Sequence, residues 1–72
     1  MGSRIYQLVQ LIELRHTSFA VSRLIMLSGV KVRKYGQDSV DDPQDLARVE
    51  RAARTLLSEP EHESLNAVLR AR

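Results

Sequence analysis

Few side chains in this chain are of the kinds that carry catalytic or metal chemistry. The only histidines are His16 and His62, and there is no cysteine. A zinc site takes three or four ligands, usually with two close in sequence. The nearest approach is Glu59-Glu61-His62-Glu63, which reads as the solvated acidic start of a helix. Serine–histidine–aspartate chemistry needs an oriented base and an oxyanion site, and no strand–turn–helix elbow offers one. A loop that cradles phosphate needs clustered glycines, whereas Gly2, Gly29 and Gly36 stand apart. A chain of 72 residues also leaves little room for a substrate pocket of a few hundred cubic ångströms. These absences lead to the expectation of a non-enzyme, with no catalytic residue, metal, cofactor or small-molecule substrate.

The chemistry that remains is that of exposed cations. Arg23, Lys31, Arg33 and Lys34 gather around the Ser28-Gly29-Val30 turn, with Arg15 at the edge of the group. Residues 1–36 carry a net charge of +5 and residues 37–72 a net charge of −3. A basic half suits a polyanion and an acidic half suits another protein surface, although both patterns also occur as ordinary solvated faces. Aromatic residues are scarce, namely Tyr6, Phe19 and Tyr35. Single-strand recognition by base stacking wants a platform of several, so sequence-neutral phosphate contact is the simpler expectation.

The elements that position these groups read mainly as helices. Ser3 suits an N-cap for a helix to about Arg15. There Ile5, Leu8, Val9, Leu11 and Ile12 make one broad apolar face. That face covers more than half the girth, so the helix is expected at the centre of the fold. Thr17 or Ser18 is expected to cap a second helix, Phe19 to Leu27, which Gly29 ends in a left-handed conformation. This helix is apolar on two sides, and Phe19, Leu24, Met26 and Leu27 stand out as an oligomer or partner interface. Val30 and Val32 alternate with Lys31 and Arg33, favouring a short extended segment over 30–33, with a short helix as the rival. Asp42-Pro43 is the sharpest boundary: an N-cap followed by a residue pre-set for the first helical position. The third helix then runs to about Leu57, burying Leu46, Val49, Ala53 and Leu56 and turning Arg48, Arg51 and Arg54 outward. Ser58 and Glu61 form a capping-box signature for a fourth helix to about Leu69, with Leu65, Val68 and Leu69 as its apolar stripe.

The helix Phe19 to Leu27, the glycine turn and the basic segment after it resemble a helix-turn-helix, in which the second helix enters the major groove. Here the bulky Ile25 stands where that motif takes a small residue, and the second helix would span only about Lys31 to Tyr35. Thr17-Ser18, Arg23-Leu24-Ile25, Gly29-Val30-Lys31-Val32 and Val40-Asp41-Asp42-Pro43 together resemble the S4 RNA-binding module. That resemblance implies a Gly-Val-x-Val strand and phosphate contacts from Arg23, Lys31 and Arg33. The connection between the two strands is longer in this chain, and helix follows Pro43.

The expectation is therefore a single all-α domain over residues 1–72, a small bundle of three to four short helices with a frayed tail at 70–72. Residues 1–3 read as either an appended leader or a natural start. No apolar run exceeds the four residues Leu24 to Leu27, far short of the ~20 that cross a bilayer, and no signal peptide is evident. A cysteine-free chain without such segments is expected in the cytoplasm. With a thin core and no disulfide, homodimerisation is the expected staple. The functional expectation is a nucleic-acid-binding regulator, on DNA sooner than RNA, contacting phosphates through Arg15, Arg23, Lys31, Arg33 and Lys34. The alternatives are a helical adaptor or inhibitor that docks on a regulatory protein through an apolar helix face, and an S4-like RNA-binding module.

Overall fold

A computed structural model describes residues 2–16 and 18–70. Four α-helices follow one another: α1, Arg4–Arg15; α2, Ser18–Ser28; α3, Pro43–Leu56; and α4, Glu59–Arg70. A single 3-10 turn, Val32–Lys34, lies between α2 and α3, and there is no strand among the described residues. The all-α expectation is met.

α1 packs against α2, α3, α4 and the 3-10 turn. Its wide apolar face explains that central position: Ile5, Leu8, Val9 and Ile12 are all buried. Fully burying a side chain of this size stabilises the fold by roughly 1.5–3 kcal/mol, so this helix anchors the core. α2 contributes Val21 and Leu24, α3 contributes Val49, Ala52 and Ala53, and Leu57 and Leu65 close the α4 side. Val68 and Leu69 pack partly buried against that core. The Leu65/Val68/Leu69 stripe is thus consumed within the chain and is not a free docking surface.

The helix boundaries follow their capping chemistry. The Ser3 hydroxyl accepts from the Tyr6 N–H at 3.0 Å, and the Asp42 carboxylate accepts from the N–H groups of Gln44 and Asp45. Gly29 ends α2 with φ at +70°, a region that costs an L side chain free energy but not glycine. Of the two cap candidates for α2, Thr17 lies outside the described residues, and Ser18 is the first residue of the helix. At α4 the capping box has a changed form: the Ser58 N–H and hydroxyl both donate to Glu61 Oε1, at 3.0 and 2.8 Å. α4 ends at Arg70, so Ala71 and Arg72 of the expected frayed tail lie outside the described residues, as does Met1 of the leader.

The expected extended segment at 30–33 is not formed. Val30 and Val32 are buried as an alternating pattern would have them, but no neighbouring strand offers a ladder, so the backbone turns on itself. The Val32 N–H donates to Val30 O, the Lys34 N–H to Lys31 O and the Tyr35 N–H to Val32 O. N–H groups without a partner strand must find local acceptors: that of Val32 finds one two residues back, as in a γ-turn, and the 3-10 turn supplies those of Lys34 and Tyr35. The strand that the S4 resemblance implied is therefore missing. The helix that a helix-turn-helix would place there shrinks to three residues.

From Tyr35 to Asp42 the connection is tied to the starts of two helices. Asp41 accepts from the Ser3 hydroxyl and from the N–H groups of Arg4 and Ile5. The Ser3 N–H donates to Gln37 O at 2.8 Å. A Cβ on Gly2 would come within 2.8 Å of that same carbonyl oxygen, so glycine lets the two chain segments approach. At the other end the Tyr35 hydroxyl donates to Asp45 Oδ2 at 2.7 Å and accepts from the Asp42 N–H at 3.3 Å. Among the described residues no helix is long and apolar enough to cross a membrane.

Candidate functional site

The five expected nucleic-acid contacts do not form one cluster. Arg33 reaches back to α1, where its guanidinium donates to Glu13 Oε1 at 2.8 Å. Lys34 turns towards α3: its ammonium lies 3.5 Å from Asp45 Oδ2 and 5.3 Å from the centre of the Tyr35 ring. Arg15, at the end of α1, reaches Ser64 on α4 at 3.5 Å. Only Arg23 and Lys31 are exposed without a hydrogen bond or ion pair among the described residues. Cations close in sequence thus divide, with Arg33 turned to α1 and Lys34 to α3.

The expected apolar interface divides as well. Leu24 is fully buried between α2 and the core. Its position corrects the interface assignment, because a side chain with no exposed surface cannot meet a partner. Phe19, Met26 and Leu27 are exposed by 69, 81 and 52%. Positions 19, 23, 26 and 27 fall on one side of a helix of 3.6 residues per turn. The solvent face of α2 is therefore Phe19, Arg23, Met26 and Leu27, with Val21, Leu24 and Ser28 on the buried side.

This face borders a groove that sequence reasoning did not anticipate. Leu27 and Ser28 at the end of α2 line an open depression of about 300 Å³ together with Arg48, Arg51, Ala52 and Thr55 of α3. α2 and α3 make the most extensive helix pair in the molecule. The small Ala52 at their junction lets a hollow open beside Leu27. Neither Arg48 nor Arg51 has a hydrogen bond or ion pair among the described residues. The signal for them was present in the sequence as an outward pair three residues apart on α3. What was missing was the knowledge that α2 lies alongside.

The remaining candidates are occupied in building the fold. His16 Nε2 lies 3.3 Å from Glu61 Oε2. The Glu61 carboxyl is held below the usual carboxylate range, first by the Ser58 N–H, then by the Ser58 hydroxyl and the His16 ring. His62 Nε2 contacts the carbonyl oxygens of Arg54 and Leu57 at 3.0 and 3.1 Å, where α3 ends. No group of three metal-ligating side chains comes together among the described residues. The chain matches no family model, no curated protein and no solved structure.

Proposed function

We propose that this chain is a binding module that docks an acidic amphipathic helix of another protein on the solvent face of α2. One observation carries the reading: Phe19, Met26 and Leu27 are exposed on one face with Arg23 among them, and cations without a hydrogen bond or ion pair among the described residues lie beyond. Apolar anchors give a helix-in-groove contact its affinity, and flanking charge sets its register and partner choice. A mixed apolar and basic face suits leucine-like anchors flanked by carboxylates better than it suits a uniformly charged phosphate backbone. A two-fold dimer through the same face would bring Arg23 of two copies together, and like charges oppose that arrangement. The partner is accordingly a different protein.

The test is a titration of the ¹⁵N-labelled chain with a helical peptide of alternating leucine and glutamate faces. Amide shifts centred on α2, and a loss of roughly tenfold or more in affinity for Phe19→Ser/Met26→Ser, are expected. The same peptide with glutamine for glutamate should bind more weakly. Equal binding by the double variant would remove the proposal.

A second reading keeps the chain on nucleic acid, with duplex DNA ahead of RNA. It is favoured by the exposure of Arg23, Lys31, Arg48 and Arg51 with no hydrogen bond or ion pair among the described residues. Such groups can neutralise phosphates, and binding would then fall steeply with salt. A labelled duplex retarded at low salt, and released by Arg23→Gln/Lys31→Gln while Phe19→Ser/Met26→Ser still binds, would put this reading first.

A further inference from the structure

We infer that the groove between α2 and α3 is a binding site for a phosphate monoester, held by Arg48 and Arg51. Arg48 and Arg51 lie outside the docking face of α2, with which the groove shares only Leu27, so the site stands whether or not that face binds a protein.

No side chain forms a hydrogen bond or ion pair with either guanidinium group among the described residues. Arg48 and Arg51 are exposed, lie three residues apart on α3, and line the same hollow. The carboxylates nearest in sequence are committed elsewhere. Asp45 feels the charge of Arg48 but is bound by the Tyr35 hydroxyl and lies beside Lys34. Glu50 pairs with Arg54 at 3.5 Å, one turn further along the helix. The other polar groups of the groove are also engaged: the Ser28 hydroxyl accepts from the Val30 N–H, and the Thr55 hydroxyl donates to Arg51 O. The two arginine forks line the hollow and hold no hydrogen bond or ion pair among the described residues.

Charge and shape then select the ligand. An arginine fork binds carboxylate or phosphate through two parallel N–H···O bonds. Two such forks carry two positive charges. A phosphate monoester carries roughly −1.5 to −2 at neutral pH and three acceptor oxygens, whereas a carboxylate would leave one guanidinium uncompensated. The apolar parts of the lining, Leu27 and Ala52, suit the carbon that bears the ester. A volume near 300 Å³ is about ten times a water's share of the liquid, ~30 Å³. That is room for the phosphoryl group and a carrier of a few atoms. The carrier is either a phosphorylated side chain or a small free ester.

Titration of the ¹⁵N-labelled full chain at fixed ionic strength tests the assignment. The probes are N-acetyl-O-phosphoserine amide, inorganic phosphate and N-acetylglutamate amide. Saturable shifts are expected at the amides of Leu27, Ala52 and Thr55 and at the Nε–H groups of Arg48 and Arg51. The glutamate probe should bind roughly tenfold more weakly, because it offers half the charge. Arg48→Gln/Arg51→Gln should abolish saturation while leaving the thermal melt in place, since neither side chain bonds to the fold. Arg48→Lys/Arg51→Lys, which keeps the charge but not the forks, should retain weakened binding. Tighter binding of the seryl ester than of inorganic phosphate supports a monoester, and the reverse order overturns it. Glutamate binding as tightly as phosphoserine overturns the inference. So do shifts centred on Lys31, Arg33 and Lys34, or saturation that survives the glutamine variants. The Phe19→Ser/Met26→Ser chain should bind phosphoserine unchanged, so the groove and the α2 face fail separately.

Discussion

The two ends of the connection between α2 and α3 use polar side chains in opposite ways. At the far end Asp41, Tyr35, Ser3, Asp42 and Asp45 are knitted into hydrogen bonds that close the starts of α1 and α3. Beside the near end Arg23, Lys31, Arg48 and Arg51 bond to nothing among the described residues, and Phe19, Met26 and Leu27 lie open to water. Nor does any buried side-chain nitrogen or oxygen among the described residues lack a partner. An unpaired polar group in the interior costs about 1–3 kcal/mol, and a domain this small has little stability to lose. Among the described residues the fold therefore satisfies its interior, and the α2–α3 side is where exposed apolar groups and cations without partners lie together.

That contrast can be broken most sharply within α2. Leu24→Ala should destabilise the chain by about 2–5 kcal/mol, the range for deleting a buried leucine. Met26→Ser, two residues on, should change stability by no more than about 0.5 kcal/mol. Thermal melts followed by circular dichroism compare the two, and equal effects would erase the division between core and docking face.

A smaller effect separates the knitted end from the groove. Asp41→Ala strips the acceptor shared by the Ser3 hydroxyl and two backbone N–H groups, and should cost about 2 kcal/mol. Arg51→Gln should leave the urea midpoint unchanged, because its guanidinium supports nothing in the fold.

The smallest effect is read through pH. The Asp45 carboxyl is held below its ordinary range, first by the Tyr35 hydroxyl and then by Lys34 and Arg48. Its contribution to stability is present above the ordinary carboxylate value, about pH 4, and is lost as pH falls through the lower folded value. Tyr35 is held above its ordinary range, chiefly by the same hydrogen bond to Asp45. Its contribution is present below about pH 10 and is lost as pH rises through the folded value. Tyr35→Phe should therefore lower stability slightly at neutral pH and flatten both the acid and the alkaline limbs of the stability profile. Unchanged limbs would mean that the hydrogen bond does not couple the two titrations.

Local chemistry made the helices legible. Ser3, Gly29 and Asp42-Pro43 announce ends that depend on one or two neighbouring residues, and the breadth of the apolar face on α1 announces a central helix. These features rest on short-range geometry, which the order of residues already contains. The segment 30–33 misleads because its alternation is real but a strand exists only through a partner, and none is supplied.

The sequence by itself determined that the chain is helical, where α1, α3 and α4 begin, and that cations crowd its first half. Only tertiary structure decided which of those cations are spent. Glu13, twenty residues from Arg33, and Asp45, eleven from Lys34, become neighbours through packing. Leu24 and Met26 likewise differ only in which way α2 is rolled against α1 and α3. Helix capping acts within a few residues, whereas ion pairing, burial and the hollow beside Leu27 depend on distances that the chain acquires when its apolar faces close on one another.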